Sequence, residues 1–237
     1  MGAPSEFVVD VARLGSTRAI LYEADQARTA LILGHGAGAG QLSPFMIGFA
    51  REICALGTTV VTFDFLYIQQ RRRTPDRTPV LEGCYRAVID AVRKRIDPAS
   101  LFIGGKSMGG RIATQVAASG IDPPIDGLVL LGYPLHPPGR PTERRDAHLP
   151  SIGRPMFFAQ GSRDTFGTAQ ELSALVKSLH SATLHVVEGG DHSFKISARD
   201  TTRQAAVYEE VQQAVVNWIN SIAPPRGTSA RAPRRSR

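Results

Sequence analysis

The segment Gly105-Lys106-Ser107-Met108-Gly109 restricts the fold of this chain more than any other, and it follows the apolar run Leu101-Phe102-Ile103 directly. This pattern predicts a buried strand that turns sharply into a helix, with a serine at the turn. The turn forces the serine into a strained backbone, and Cβ atoms at Gly105 and Gly109 would collide with the neighbouring strand and helix. We therefore expect Ser107 at the carboxyl end of a buried strand, in the geometry of a nucleophile elbow.

An acidic residue and a histidine follow the elbow, each just past another predicted strand. Asp164 comes after the apolar run 155–160, and His192 comes after the run 184–187. Taken alone, Asp164 could cap the next helix and His192 could be an ordinary loop residue. Taken in order, the three residues match the nucleophile, acid and histidine sequence of α/β-hydrolases, because carboxyl ends of parallel strands meet at one edge of a sheet. The sequence predicts a catalytic triad of Ser107, Asp164 and His192.

The chemistry of a serine nucleophile assigns a role to each member. His192 is expected to take the serine proton during attack, and Asp164 to orient the histidine ring. The developing oxyanion needs backbone donors, and the glycine-rich segment 34–40 leaves its N–H groups uncovered. We expect Met108 to contribute one N–H group and Ala37 or Gly38 the other.

The remaining sequence alternates strands with helices, which predicts a single α/β domain over residues 1–223. The predicted strands are Ala19–Tyr22, Ala30–Leu33, Thr59–Phe63, Leu101–Gly104, Gly127–Leu131, Pro155–Gln160 and Leu184–Val187. The predicted helices are Pro44–Leu56, Val80–Ile96, Met108–Ser119, Ala169–Leu179 and Thr202–Ile222. The connection Gly132–Gly153 is too short for a helical cap domain, and we expect it to be an irregular loop over the site.

Four residues near the predicted site are secondary candidates for a substrate pocket. They are His35, Tyr133, His136 and His148. The alternative for each is structural: His35 shaping the glycine-rich loop, Tyr133 packing at a strand end, and His136 and His148 anchoring a surface loop. None of the histidines shows the spacing of a metal site, so no metal or other cofactor is expected.

Two nucleotide-binding patterns are weaker alternatives. Gly105-Lys106-Ser107 resembles the end of a phosphate-binding loop, but Ser100 stands where that motif requires glycine. The segment 34–39 fits a loose dinucleotide fingerprint, with Asp64 as a possible ribose ligand. A dinucleotide loop opens directly into its helix, whereas residues 41–44 intervene here before the helical periodicity begins.

Several motifs together resemble a small α/β-hydrolase of the dienelactone-hydrolase-like superfamily. They are HGAGAG (35–40), GKSMGG (105–110), GSRDTFG (161–167) and GGDHSF (189–194). The segments 131–139 and 148–150 are similar to a little-characterised subfamily, which also includes eukaryotic relatives found in larger assemblies. The resemblance implies an α/β-hydrolase fold with a mostly parallel central sheet of about seven strands flanked by helices. Dienelactone hydrolases proper use a cysteine nucleophile, whereas this elbow carries Ser107.

Charge and cysteine content limit the partners and the compartment. The net charge is +7, but five of these charges are arginines in Pro224–Arg237, which we expect to be a disordered Arg/Pro-rich tail with no specific nucleic-acid partner. Cys54 and Cys84 fall in predicted helices and favour a reducing cytoplasm over a disulfide framework. Residues 1–16 lack a signal-peptide pattern, and no apolar stretch is long enough to cross a membrane.

These observations favour a cytoplasmic serine esterase or related hydrolase. The expected substrate is a small molecule with an ester, thioester or similar acyl bond, and the expected intermediate is an acyl-enzyme on Ser107. The alternative is a non-enzymatic interaction module on the same fold, since a fold alone does not define a function.

Overall fold

This computed structural model describes residues 2–196 and 201–223, which contain eight strands and six helices. The strands are β1 (Ser5–Val11), β2 (Gly15–Tyr22), β3 (Thr29–Gly34), β4 (Thr59–Phe63), β5 (Ser100–Lys106), β6 (Gly127–Leu131), β7 (Met156–Gly161) and β8 (Ala182–Val187). The helices are α1 (Pro44–Ala55), α2 (Leu66–Gln69), α3 (Thr78–Ile96), α4 (Met108–Ala118), α5 (Ala169–Ser178) and α6 (Thr201–Ile222).

The strands form one sheet in the order β1-β2-β4-β3-β5-β6-β7-β8. The pairs β1–β2 and β2–β4 are antiparallel, and every other pair is parallel. Helices α3, α4 and α5 contribute to the core on one face of the sheet, and α1 and α6 contribute to the core on the other. The predicted α/β-hydrolase architecture, a mostly parallel sheet flanked by helices, is confirmed.

Burial on both faces explains why the central strands are continuous apolar runs. In β3, Ile32 packs into one core and the neighbouring residues Leu31 and Leu33 pack into the other. Successive side chains of a strand point to opposite faces, so a strand covered on both sides needs apolar residues at every position. This pattern made β4 and β6 predictable to the residue.

The structure contains one strand, β1, and one helix, α2, that the sequence did not predict. Strand β1 lies at an edge of the sheet, and only Val9 and Val11 of its seven residues are buried. An alternating edge strand lacks the apolar run on which the other predictions rested. Helix α2 has four residues and is too short for helical periodicity to reveal it.

The connection between β6 and β7 contains no cap domain. It carries one short 3₁₀ turn, Leu149–Ser151, and otherwise runs as irregular chain. The predicted tail, residues 224–237, lies outside the described residues. Among the described helices, none has the length and apolarity needed to span a membrane.

Candidate active site

Ser107 lies at the tight turn between β5 and α4 in a strained backbone conformation. Its φ is 51° and its ψ is −114°, a combination that residues with a Cβ atom rarely adopt and that costs about 1–3 kcal/mol. Two hydrogen bonds hold the turn: the Ser107 N–H donates to Leu131 O (3.0 Å), and the Arg111 N–H donates to Ser107 O (3.0 Å). The fold thus imposes the predicted elbow geometry on Ser107.

The elbow requires glycine because β3 passes very close to it. A Cβ atom on Gly105 would lie 2.2 Å from Gly34 O, and one on Gly109 would lie 2.1 Å from the same oxygen. Gly105 also has a φ of +151°. The collisions expected from the sequence at Gly105 and Gly109 are therefore present, and they involve the backbone of β3.

A chain of two hydrogen bonds connects Ser107, His192 and Asp164. The Ser107 hydroxyl donates to His192 Nε2 (2.8 Å), and His192 Nδ1–H donates to Asp164 Oδ2 (2.7 Å). Asp164 is buried, and the His192 side chain is 21% exposed. Three loops that are distant in sequence thus bring together a hydroxyl, an imidazole and a carboxylate in the spatial order that a serine nucleophile needs.

Asp164 is held by donors besides His192. Gln160 Nε2 donates to Asp164 Oδ2 (2.8 Å), and the Phe166 N–H donates to Asp164 Oδ1 (2.8 Å). Gln160 is fully buried on β7 and also accepts the Tyr133 N–H through its Oε1 (2.8 Å). Gln160 is not among the residues predicted from the sequence, because a glutamine within an apolar strand carries no catalytic motif. Its position four residues before Asp164 was the available signal.

A tight turn after β8 presents His192 to the site. The Asp191 side chain closes this turn by accepting the N–H groups of Ser193 (2.7 Å) and Lys195 (2.9 Å) at Oδ1. The ring of Phe166 lies against the imidazole, with 4.3 Å between the ring centroids. The imidazole is therefore positioned from its backbone, from Asp164 and from one ring face.

The loop after β3 lies next to Ser107 and carries the candidate oxyanion donors. Gly36 lines the same cavity as Ser107, and a Cβ built on Gly36 would lie 3.6 Å from Ser107 Cβ. Within the described chain, the Ala37 N–H has no hydrogen-bond partner, whereas the Gly38 N–H donates to the Tyr67 hydroxyl (3.0 Å). Of the two loop candidates for an oxyanion donor, Gly38 is thus already engaged, and Ala37 is available.

His35 fixes this loop from below. Its Nδ1–H donates to Gly36 O (2.7 Å), and its Nε2 accepts the Phe65 N–H (3.1 Å). The ring is completely buried, and burial lowers its pKa, which keeps the imidazole neutral. Both ring nitrogens are engaged within the protein, which favours the structural alternative for His35.

A cavity of about 740 Å³ opens beside Ser107 and His192. Its apolar lining includes Phe45, Met46, Phe49 and Phe166. Its polar lining includes Ser43, Lys106, Arg111, Arg145 and Lys195. Cavities of this size bind small organic molecules, with apolar walls for the hydrocarbon part and a few polar groups for orientation.

The other three candidate pocket residues lie behind the cavity wall. The Tyr133 hydroxyl donates to Arg145 O (2.7 Å), His148 Nε2 contacts Thr114 Oγ1 (2.8 Å), and His136 Nε2 lies 3.2 Å from the Glu171 carboxylate. These contacts connect the three side chains to neighbouring loops and helices. None of the three is in the described lining of the cavity, so the structure favours the structural alternative for all three.

Lys106, which the sequence analysis did not select, is buried between Ser107 and the His192 turn. Its ammonium group donates to the carbonyl oxygen of His192 and lies 5.6 Å from the ring centroid of Phe45 and 5.9 Å from that of Phe194. Burial lowers its pKa from 10.5 to about 8, against the opposing effect of Asp164 and Asp191. The lysine thus ties the backbone of His192 to the nucleophile strand.

The variant Lys106→Met is expected to be more stable than the wild type at pH 7, by about 1–2 kcal/mol. With its folded-state pKa depressed to about 8, the lysine holds its proton more weakly in the folded than in the unfolded chain. Its burial therefore opposes folding in full below pH 8, and this opposition fades as the pH rises towards 10.5. Urea unfolding at pH 7 and pH 10 measures the difference.

The free energy of unfolding of Lys106→Met is expected to exceed that of the wild type at pH 7, and the difference is expected to be smaller at pH 10. A wild type that is more stable at pH 7 would mean that the ring contacts and the bond to His192 outweigh desolvation.

Asp64 and Lys106, which belong to the two nucleotide-binding patterns, are both engaged in hydrogen bonds within the protein. Asp64 accepts the Gln41 N–H (2.7 Å) and lies beneath the loop, and Lys106 bonds the His192 turn. Over residues 2–196 and 201–223, no group of three or more histidine, cysteine, aspartate or glutamate side chains is arranged to hold a metal ion.

The sheet order and the Ser107 site define a lidless α/β-hydrolase architecture. A family model described as "Alpha/beta hydrolase domain" matches residues 27–220, which is most of the chain. The protein therefore belongs to this alpha/beta hydrolase domain family.

Solved structures with low sequence identity share the fold. An alpha-beta serine hydrolase homologue from Coxiella burnetii is 17% identical, with a TM-score of 0.71 over 89% of this chain and 97% of its own. An α/β serine hydrolase without lid from Xanthomonas campestris is 20% identical, with a TM-score of 0.70 over 92% and 96%. A dienelactone hydrolase from Anabaena variabilis is 17% identical, with a TM-score of 0.72 over 93% and 99%.

Proposed function

We propose that the protein is a serine hydrolase that cleaves an ester, thioester or related acyl bond of a small molecule. The observation that carries the proposal is the continuous hydrogen-bond chain from Ser107 through His192 to Asp164. The same three residues occupy the loops after β5, β7 and β8, where ligands of open α/β sheets bind. Membership of a hydrolase family supports the same reaction class.

In the first step, Ser107 Oγ attacks the carbonyl carbon of the substrate. His192 Nε2 accepts the hydroxyl proton, and Asp164 stabilises the resulting imidazolium through Nδ1–H. The tetrahedral intermediate collapses when His192 returns this proton to the leaving alcohol or thiol. The product of this half-reaction is an acyl group bonded to Ser107 Oγ.

Two backbone N–H groups are proposed to hold the oxyanion of this intermediate. Met108 is the first residue of α4, where backbone N–H groups have no partner within the helix. The Ala37 N–H is also unbonded in the described chain. The positive end of the α4 dipole adds to their effect on a developing negative charge.

Water completes the reaction in the second half. His192 removes a proton from a water molecule that attacks the acyl carbon, and Ser107 leaves with that proton. The products are the free carboxylic acid and the original enzyme. The aromatic side chains of Phe45 and Phe49 line the cavity and are proposed to contact the hydrocarbon part of the substrate.

The proposed compartment is a reducing cytoplasm, because Cys54 and Cys84 are free and buried. Burial raises the pKa of Cys84 to about 12, which makes its thiol unreactive. No cofactor, specific nucleic acid or membrane is part of this proposal. A non-enzymatic interaction module remains the alternative, although no contact in the described chain favours it over catalysis.

A fluorophosphonate probe tests the proposal without knowledge of the substrate. The wild type is expected to form a covalent adduct on Ser107, located by mass spectrometry of the digested protein. Ser107→Ala is expected to form none, and His192→Ala to react at least about 100-fold more slowly, because general-base assistance contributes on that order. Circular dichroism of each variant checks its fold.

An adduct elsewhere, or none in a folded wild type, would contradict the proposal. That result would shift the interpretation to an interaction module on the hydrolase fold.

A further inference from the structure

The charged side chains that line the cavity are mostly cationic. Lys106, Arg111, Arg145 and Lys195 carry positive charge, and among the described residues of the lining Asp76 is the one carboxylate. Asp76 is already paired, since Arg72 Nη2 donates to its Oδ1 (2.5 Å). Arg111 and Arg145 are half-buried. A partly buried cation without a counter-ion is unfavourable, so a negatively charged ligand would stabilise both side chains.

Arg111 projects from α4 one helical turn after Ser107, on the same side of the helix. Its guanidinium is half-buried and makes a single long hydrogen bond, from Nη1 to Gln115 Oε1 (3.4 Å). No carboxylate of the described chain lies within salt-bridge distance of it. Burial and the nearby positive charge of Arg145 lower its pKa, against the opposing effect of Tyr133 and Glu82.

Arg145 reaches the cavity from the loop between β6 and β7. Its backbone is fixed at both polar groups: its N–H donates to Leu135 O (2.8 Å), and its carbonyl accepts the Tyr133 hydroxyl (2.7 Å). Its guanidinium has no carboxylate partner among the described residues. The preceding residue differs, because the Arg144 guanidinium bonds the Asp146 carboxylate through two of its nitrogens.

We propose that Arg111 and Arg145 bind a carboxylate on the substrate, so that the preferred substrates are acyl esters with a negatively charged group remote from the scissile bond. This inference rests on the proposed function of Ser107. Guanidinium groups present paired N–H donors that match a carboxylate, and a bound carboxylate would also relieve the repulsion between the two arginines. The two backbone hydrogen bonds of Arg145 fix the point from which its side chain reaches the cavity.

The test compares two activated esters of equal acyl length. One is the 4-nitrophenyl half-ester of adipic acid, which has a free carboxylate, and the other is neutral 4-nitrophenyl hexanoate. The wild type is expected to have the higher kcat/KM for the half-ester. Arg111→Gln and Arg145→Gln are each expected to lower that value by about 10-fold or more, the usual loss for one hydrogen-bonded charge, and to change hexanoate turnover by less than about 3-fold.

Arg144→Gln is the matched control, since Arg144 is next in sequence but is paired with Asp146 and does not line the cavity. It is expected to leave both esters unaffected. Hexanoate turnover that depends on Ser107 without a preference for the half-ester would overturn the carboxylate site alone. An equal loss on both esters in the arginine variants would also overturn it. Failure of Ser107 to support turnover of either ester would overturn the proposed function, and this inference with it.

Discussion

Ser107→Ala is expected to lower kcat/KM for 4-nitrophenyl hexanoate by at least about 10³-fold, because the acyl-enzyme cannot form without the hydroxyl. The methyl group of alanine fits where the serine side chain lies, and the strained backbone of the turn is unchanged by the substitution. The free energy of unfolding is therefore expected to stay within about 1 kcal/mol of the wild type. Initial rates and urea unfolding measure the two quantities.

Ser43→Ala provides the control for this experiment. Ser43 lines the same cavity and precedes α1, but its side chain makes no capping hydrogen bond. Its replacement is expected to change the rate by less than about 3-fold, as is usual for a substitution that breaks no specific interaction. Wild-type turnover by Ser107→Ala would show that the hydroxyl of Ser107 is not the nucleophile. An equal loss in Ser43→Ala would mean that the loss in Ser107→Ala is not specific to that hydroxyl.

Gly109→Ala is expected to destabilise the fold by about 3 kcal/mol or more, near the upper end for overpacking. The new methyl group would start 2.1 Å from Gly34 O, and only a separation of α4 from β3 can relieve this collision. The same movement shifts the loop that carries Ala37 away from Ser107, so ester turnover is expected to fall as well. Urea unfolding and initial rates at 25 °C test both effects.

Gly83→Ala is the matched variant, since Gly83 also lies in a helix but an added Cβ there meets no atom within 4 Å. Alanine is the better helix former by about 1 kcal/mol, so this variant is expected to be slightly more stable than the wild type. The two glycine substitutions should thus have opposite signs. A neutral Gly109→Ala variant would mean that the elbow tolerates a displacement of β3.

The sequence was sufficient to predict the elements whose structure is determined by local residue patterns. A two-sided apolar run predicted β4 and β6 with their observed bounds, and glycines around Ser107 predicted a close approach of backbones. Asp164 and His192 followed from their places after strands, since parallel topology brings such loops together. The proximity of these residues to Ser107 thus needed no knowledge of loop conformation.

The composition of the cavity wall could not be predicted in this way. The histidine candidates were selected by residue type, yet His136 and His148 face neighbouring helices. Arg111 carried a usable signal, its spacing of four residues from Ser107 on one helix. Arg145 carried none, because the fold of a long irregular loop decides which of two adjacent arginines enters the cavity and which pairs with Asp146.

The position of β8 at the edge of the sheet makes His192 the member of the site that local opening would displace first. Ser107 follows β5, which has a paired strand on each side, whereas His192 follows β8, which is an edge strand paired only with β7. Local openings at an edge require less free energy than opening of a central strand. Detachment of β8 alone would withdraw the imidazole from an otherwise folded domain. The working lifetime of the site is therefore expected to depend on the local stability of this edge rather than on the global free energy of unfolding.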